Sequence, residues 1–145
     1  MVSYTIQVTR REWAENRMPV EITLQPNQRI VFIRLSDPTT GIELSKVYDE
    51  IEALRHQYPH QLHCLVDTSG VRGVPSDLFR VRNSVRWDLA AQTHNVIVVK
   101  NVAFRMLVDT FFRFARFDKA HIVQTVKEGQ AFLDKVIEED ARSGS

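Results

Sequence analysis

One stretch of the chain gathers an acid, two hydroxyls and a glycine in consecutive positions: Leu65-Val66-Asp67-Thr68-Ser69-Gly70-Val71. A glycine permits backbone angles that present the neighbouring Ser69 to solvent, and nearby amides can receive a phosphate. Asp, Ser and Gly are also ordinary turn formers, so a plain bend is the alternative. Hydrolytic chemistry has little support. There is no Gly-x-Ser-x-Gly nucleophile turn and no phosphate-cradling glycine-rich loop. Asp67-Thr68 is followed by serine where an aspartic protease has glycine, and no Asp-Thr-Gly occurs anywhere in the sequence. No catalytic residue is therefore expected. Metal chemistry fares no better. His56, His60, His63 and Cys64 do not follow a zinc spacing, and Pro59 falls between the first two histidines. His94 and His121 read as polar residues at strand entrances. Neither a metal nor a cofactor is expected.

Two apolar clusters compete for attention. Phe104, Phe111, Phe112, Phe114 and Phe117 crowd one segment with Leu107 and Val108. An arc this wide is more often core than ligand box, but Phe104, Phe111 and Phe112 are the candidate contacts for an apolar ligand. Arg105 and Asp109, and Asp109 and Arg113, are spaced four apart, as on a solvated helix face. Trp87, with Phe79 and Ala90, falls on the outer side of a separate predicted helix. It suits a homodimer surface unless a neighbouring loop covers it.

These residues need a scaffold, and hydrophobic spacing supplies one. Tyr4, Ile6 and Val8 alternate as a short strand. Val20, Ile22 and Leu24 alternate again, and residues 30–35 form a richer strand after the turn Gln25-Pro26-Asn27-Gln28, which predicts a hairpin. Thr40 and Glu43 fit a capping box, and Leu44, Val47, Tyr48, Ile51 and Leu54 follow at helical spacing until Pro59 stops the helix. Residues 62–66 are nearly continuous in apolar character, the mark of a strand covered on both faces. Leu78, Val81, Val85 and Leu89 mark a helix, residues 95–99 a strand, and residues 104–115 a helix. Residues 120–124 read as a strand. Thr125 and Glu128 cap a closing helix that runs to about Glu138, with residues 141–145 as a frayed tail.

Three strands followed by alternating helices and strands predict a single-domain α/β sandwich. It has a mostly parallel mixed sheet, an N-terminal antiparallel hairpin and about four helices. In such sheets functional residues collect at the carboxyl ends of strands, which is where residues 67–71 fall.

Bulk properties agree. The 145 residues suit one domain, spanning 1–145 with an N-terminal extension over 1–17. With 43% hydrophobic and 26% charged residues, the chain resembles a folded globular protein rather than a disordered one. Nineteen Lys and Arg against 18 Asp and Glu leave a formal charge of +1, so a nucleic-acid partner is not expected. One cysteine, Cys64, cannot form an internal disulfide, which favours the cytoplasm. No run is long and apolar enough to predict a membrane span.

The residues 66–71 resemble the Asp-Ser/Thr-Ser-Gly-Leu/Val motif of STAS domains, the anti-sigma factor antagonist fold. The helix before the last strand and the ending around Thr125-Val126-Lys127-Glu128 with Ala131-Phe132-Leu133 are similar to that family too. The resemblance covers residues 20–137 in order of elements. It implies a regulatory, protein-binding domain in which Ser69 is phosphorylated by a partner kinase, with Asp67 as the acid before it and Asp67, Thr68, Ser69, Gly70 and Val71 as the partner loop. Two departures set this chain apart. Residues 71–75 separate the glycine from the next helix, and an extra segment precedes the hairpin. Both bring it nearer the SpoIIAA-like group, whose similarity to CRAL-TRIO lipid carriers implies the alternative of a small carrier of a lipid or fatty acid.

Overall fold

Val20, Ile22 and Leu24 are buried on one side of β2 (Val20–Leu24), whereas Glu21 between them is exposed, which is the two-residue period of a half-covered strand. It pairs antiparallel with β3 (Ile30–Ser36), so that Ile22 faces Ile33 and Leu24 faces Val31. The turn between them closes by a Gln28 amide donating to the Gln25 carbonyl at 2.9 Å, and the Asn27 side chain accepts from the Arg29 amide at 2.9 Å. Gln28 itself is left-handed, with φ of 59°. A two-residue strand, β1 (Tyr4–Thr5), lies on the outer edge of β2. The computed structural model describes residues 4–5, 20–37, 41–72, 93–115 and 119–143.

Beyond the hairpin the sheet is parallel. β4 (His63–Gly70), β5 (Asn95–Val98) and β6 (Ala120–Val123) add one after another to β3, giving the order β1-β2-β3-β4-β5-β6. α1 (Gly41–Gln57) leads from β3 to β4, and α2 (Val102–Ala115) from β5 to β6. Crossovers of one hand between strands laid down in sequence put their helices on the same face. Accordingly Val47 and Ile51 of α1 pack with Val31, Ile33 and Cys64, while Phe104 of α2 packs with Ile97 and Val99. The closing helix, α3 (Val126–Arg142), takes the other face, where Leu133 packs with Leu65, Val96 and Val98. The molecule is thus an α/β protein with a mixed sheet and an antiparallel hairpin at one edge.

The expected and observed elements differ in informative places. Three helices occur among the described residues. The fourth expected one, marked by Leu78 to Leu89, lies outside them, as do Phe79, Trp87 and Ala90. α1 ends at Gln57, consistent with the stop imposed by Pro59. α3 continues through Arg142, beyond Glu138 and into the tail expected to fray. Its start is capped as predicted, with the Thr125 hydroxyl accepting from the Glu128 amide at 3.1 Å. An Arg142–Glu138 pair one turn apart joins two of its last residues. Helical spacing puts Leu107 on the inner face of α2, but it is 57% exposed. Phe104 and Val108 alone carry that packing among the side chains described there, and Val102 and Met106 share the outer surface with Leu107.

Candidate functional site

Residues 67–70, expected as a strand-to-loop junction, are the last half of β4 itself, and Val71 alone of the motif lies beyond it. Neighbouring β3 pairs Arg34 with Asp67 and Ser36 with Gly70, so β4 spends one more residue than its partner over this step. Such a bulge changes which way side chains point. Before it, Leu65 and Val66 are core residues on opposite faces. After it, Ser69 and Gly70 are exposed. Gly70 is extended strand, with no left-handed backbone to demand a glycine. A methyl group there would stand 3.1 Å from the Leu35 carbonyl oxygen and 3.2 Å from the Ser36 hydroxyl oxygen, so close approach of β3 is the reason for glycine.

Asp67 organises the site. It is buried, and its Oδ1 accepts both the Ser69 amide hydrogen, at 3.0 Å, and the Ser69 hydroxyl hydrogen. Its Oδ2 lies 3.8 Å from Arg34 Nε, and the Arg34 guanidinium carbon stands 5.5 Å from the centre of the Phe32 ring. A carboxylate sunk this deep needs such partners, because an uncompensated buried charge is costly. Thr68 turns the other way and donates to the Val98 carbonyl at 2.6 Å, tying the end of β4 to β5. Val71 closes a tight turn through its amide to the Thr68 carbonyl at 2.9 Å. The Arg72 amide then donates to the Asp37 carboxylate at 3.1 Å, joining this turn to the end of β3.

Beside Ser69 opens a cleft of about 410 Å³. Thr68, Ser69, Val71 and Arg72 form one wall. Lys100, Asn101 and Phe104, from the end of β5 and the first turn of α2, form the other. Asn101 accepts the Phe104 amide hydrogen at 3.1 Å and so caps α2. The cleft therefore joins a hydroxyl, two cationic residues and one aromatic ring. Three of the five expected loop residues, Thr68, Ser69 and Val71, line it. Asp67 acts from below, through Ser69. Sequence reasoning missed Lys100 and Asn101. The rule that sites gather at strand carboxyl ends applies to β5 as well as β4 and is the signal that reaches them.

Of the apolar-ligand candidates, Phe104 is in the cleft wall; the side chains of Phe111 and Phe112 are not among those described. The histidines weighed for a metal do not converge. His56 sits 3.4 Å from Glu52 on α1, His60 Nε2 contacts the Gln28 carbonyl at 2.5 Å, and Cys64 is in the core. Among the described residues no group of three or more His, Cys, Asp or Glu is disposed to hold a metal ion. None of the described helices is long and apolar enough to cross a membrane. Comparison of the chain with protein-family models, with characterised proteins and with solved structures finds no match.

Proposed function

We propose that the chain is a cytoplasmic, non-catalytic regulatory domain of STAS or SpoIIAA-like type, which binds a protein partner through the carboxyl end of β4 and is switched by phosphorylation of Ser69. The observation that carries this reading is an exposed Ser69 whose hydroxyl is held by Asp67 beside a cleft bearing Arg72 and Lys100. A phosphate on Ser69 adds about −1.5 to −2 charge and three strong acceptor oxygens. Asp67 Oδ1 then faces a like charge, whereas Arg72 and Lys100 face an opposite one. The modified side chain leaves Asp67 and turns toward the cleft, and the surface that a kinase or regulator meets changes in shape and sign. Pull-downs with wild type, Ser69→Ala and Ser69→Asp test the switch. The expected result is a partner held by the first two and lost, or exchanged, with Ser69→Asp. Three identical partner profiles refute it.

A second reading, a carrier of a lipid or fatty acid, draws on Phe104 in the cleft wall. Native mass spectrometry of protein purified without detergent separates the two. A bound apolar molecule, released by denaturation, favours the carrier. A bare chain that gains nothing on adding lipid favours the regulatory domain.

A further inference from the structure

At the opposite end of the parallel strands, three imidazoles from distant parts of the chain stand in a row. His63 opens β4, His94 immediately precedes β5, and His121 is in β6. His63 is only 2% exposed, and its Nδ1 accepts the His94 amide hydrogen at 3.0 Å. An accepting Nδ1 means a neutral ring with its proton on Nε2. His94 Nδ1 and His121 Nε2 are 3.2 Å apart, and one of two hydrogen-bonded ring nitrogens must be unprotonated. The rings of His94 and His121 are stacked with centroids 5.3 Å apart, and those of His63 and His94 are 5.4 Å apart. Phe132 of α3 covers the row, 4.3 Å from His121 and 5.8 Å from His94 between ring centroids.

We propose that this row is a proton-operated latch that holds α3 on the sheet while its imidazoles are neutral and releases it when they charge. Protonation of His63 removes the acceptor for the His94 amide. Protonation of both His94 and His121 removes the bond between them and sets like charges in contact. Phe132 can offset part of one such charge through its ring face, but not three. The surrounding charges are mixed. Asp140 on α3 favours the charged state of His63 and His94, Lys119 beside β6 opposes it for both, and Arg55 of α1, which donates to Thr93 at 2.9 Å, opposes it for His63.

The balance favours the neutral state. Burial first, and then His94, pushes His63 down from 6.5 to about 4. Burial and then His121 lower His94, and burial lowers His121. An unfolded imidazole titrates near about 6.5, so the unfolded chain takes up protons first as acid is added. The stability held in the neutral row is complete above that value. It is lost progressively as pH falls from about 6.5 toward about 4.

Amide hydrogen exchange on the full chain, corrected for the intrinsic effect of pH, tests the latch alongside nuclear magnetic resonance of the histidine rings. Between about pH 7 and about pH 5, α3 amides are expected to lose roughly fivefold or more protection relative to β2 and β3, as follows when one imidazole binds its proton at least tenfold more weakly in the closed state than in the open one. His63→Asn keeps an acceptor near the Nδ1 position and cannot titrate there. Combined with His121→Gln it is expected to flatten the acid response of α3. Should that double variant fail to fold, His121→Gln alone is expected to weaken the response. Three findings overturn the latch: α3 and the hairpin losing protection together, α3 staying protected while His63 and His94 are seen to protonate, or a folding variant that keeps the full acid response.

Discussion

The two ends of the parallel strands in this sheet do different work with similar materials. At the carboxyl end, Asp67 and Ser69 meet across two residues of sequence, and the product is open to solvent beside a cleft. At the amino end, His63 meets His94 across 31 residues and His94 meets His121 across 27, and the product is packed against Phe132. A strand end left uncovered can offer a hydroxyl to a partner. A strand end closed by a helix makes any charge there a threat to the packing. The same polar side chains serve recognition in one setting and conditional stability in the other, and the covering element decides which.

Three substitutions probe that contrast. The largest effect is expected at the covering helix. Leu133→Ala empties a fully buried position against Leu65, Val96 and Val98, and should cost about 3 kcal/mol in urea unfolding. A loss below about 1 kcal/mol would mean that α3 is only loosely seated and that the two ends do not differ as described. Gly129→Ala comes next. A methyl there would stand 2.6 Å from Leu65 Cδ1 and 3.1 Å from Val96 Cγ1. Overpacking of about 1–3 kcal/mol is set against a helix-propensity gain of about 1 kcal/mol, for a net loss of about 1 kcal/mol. A stabilised variant would show that the α3 backbone has room to lift away from the sheet. The smallest effect belongs to the open end. Ser69→Ala removes an exposed hydroxyl but leaves Asp67 the Ser69 amide and Arg34 as partners, and thermal unfolding should place the loss below about 1 kcal/mol. A loss above about 1 kcal/mol would make Ser69 part of the framework and remove the contrast with the buried row.

Periodicity made much of the scaffold legible. Alternation in Val20–Leu24, the apolar run through Leu65, and the helical spacing of Val47 and Ile51 each report burial directly, because burial is what selects those residues. α2 shows the limit. Its apolar residues run around more of the helix than the sheet covers, so spacing alone could not tell that Phe104 faces inward and Leu107 outward. The bulge between Asp67 and Gly70 is likewise invisible in composition. It arises from how β3 and β4 pair, and it is what turns Ser69 outward.

Residue types and their spacing were sufficient for the class of fold, the hairpin, the cap at Thr125 and the grouping of Asp67 with Ser69, since each depends on neighbours within a few positions. Tertiary structure alone brought Lys100 and Asn101 to the cleft and His63, His94 and His121 into one row. Those groupings depend on which strands lie side by side and in what register. Register is set by the packing of whole faces against helices, a sum over the core that no short stretch of the chain contains.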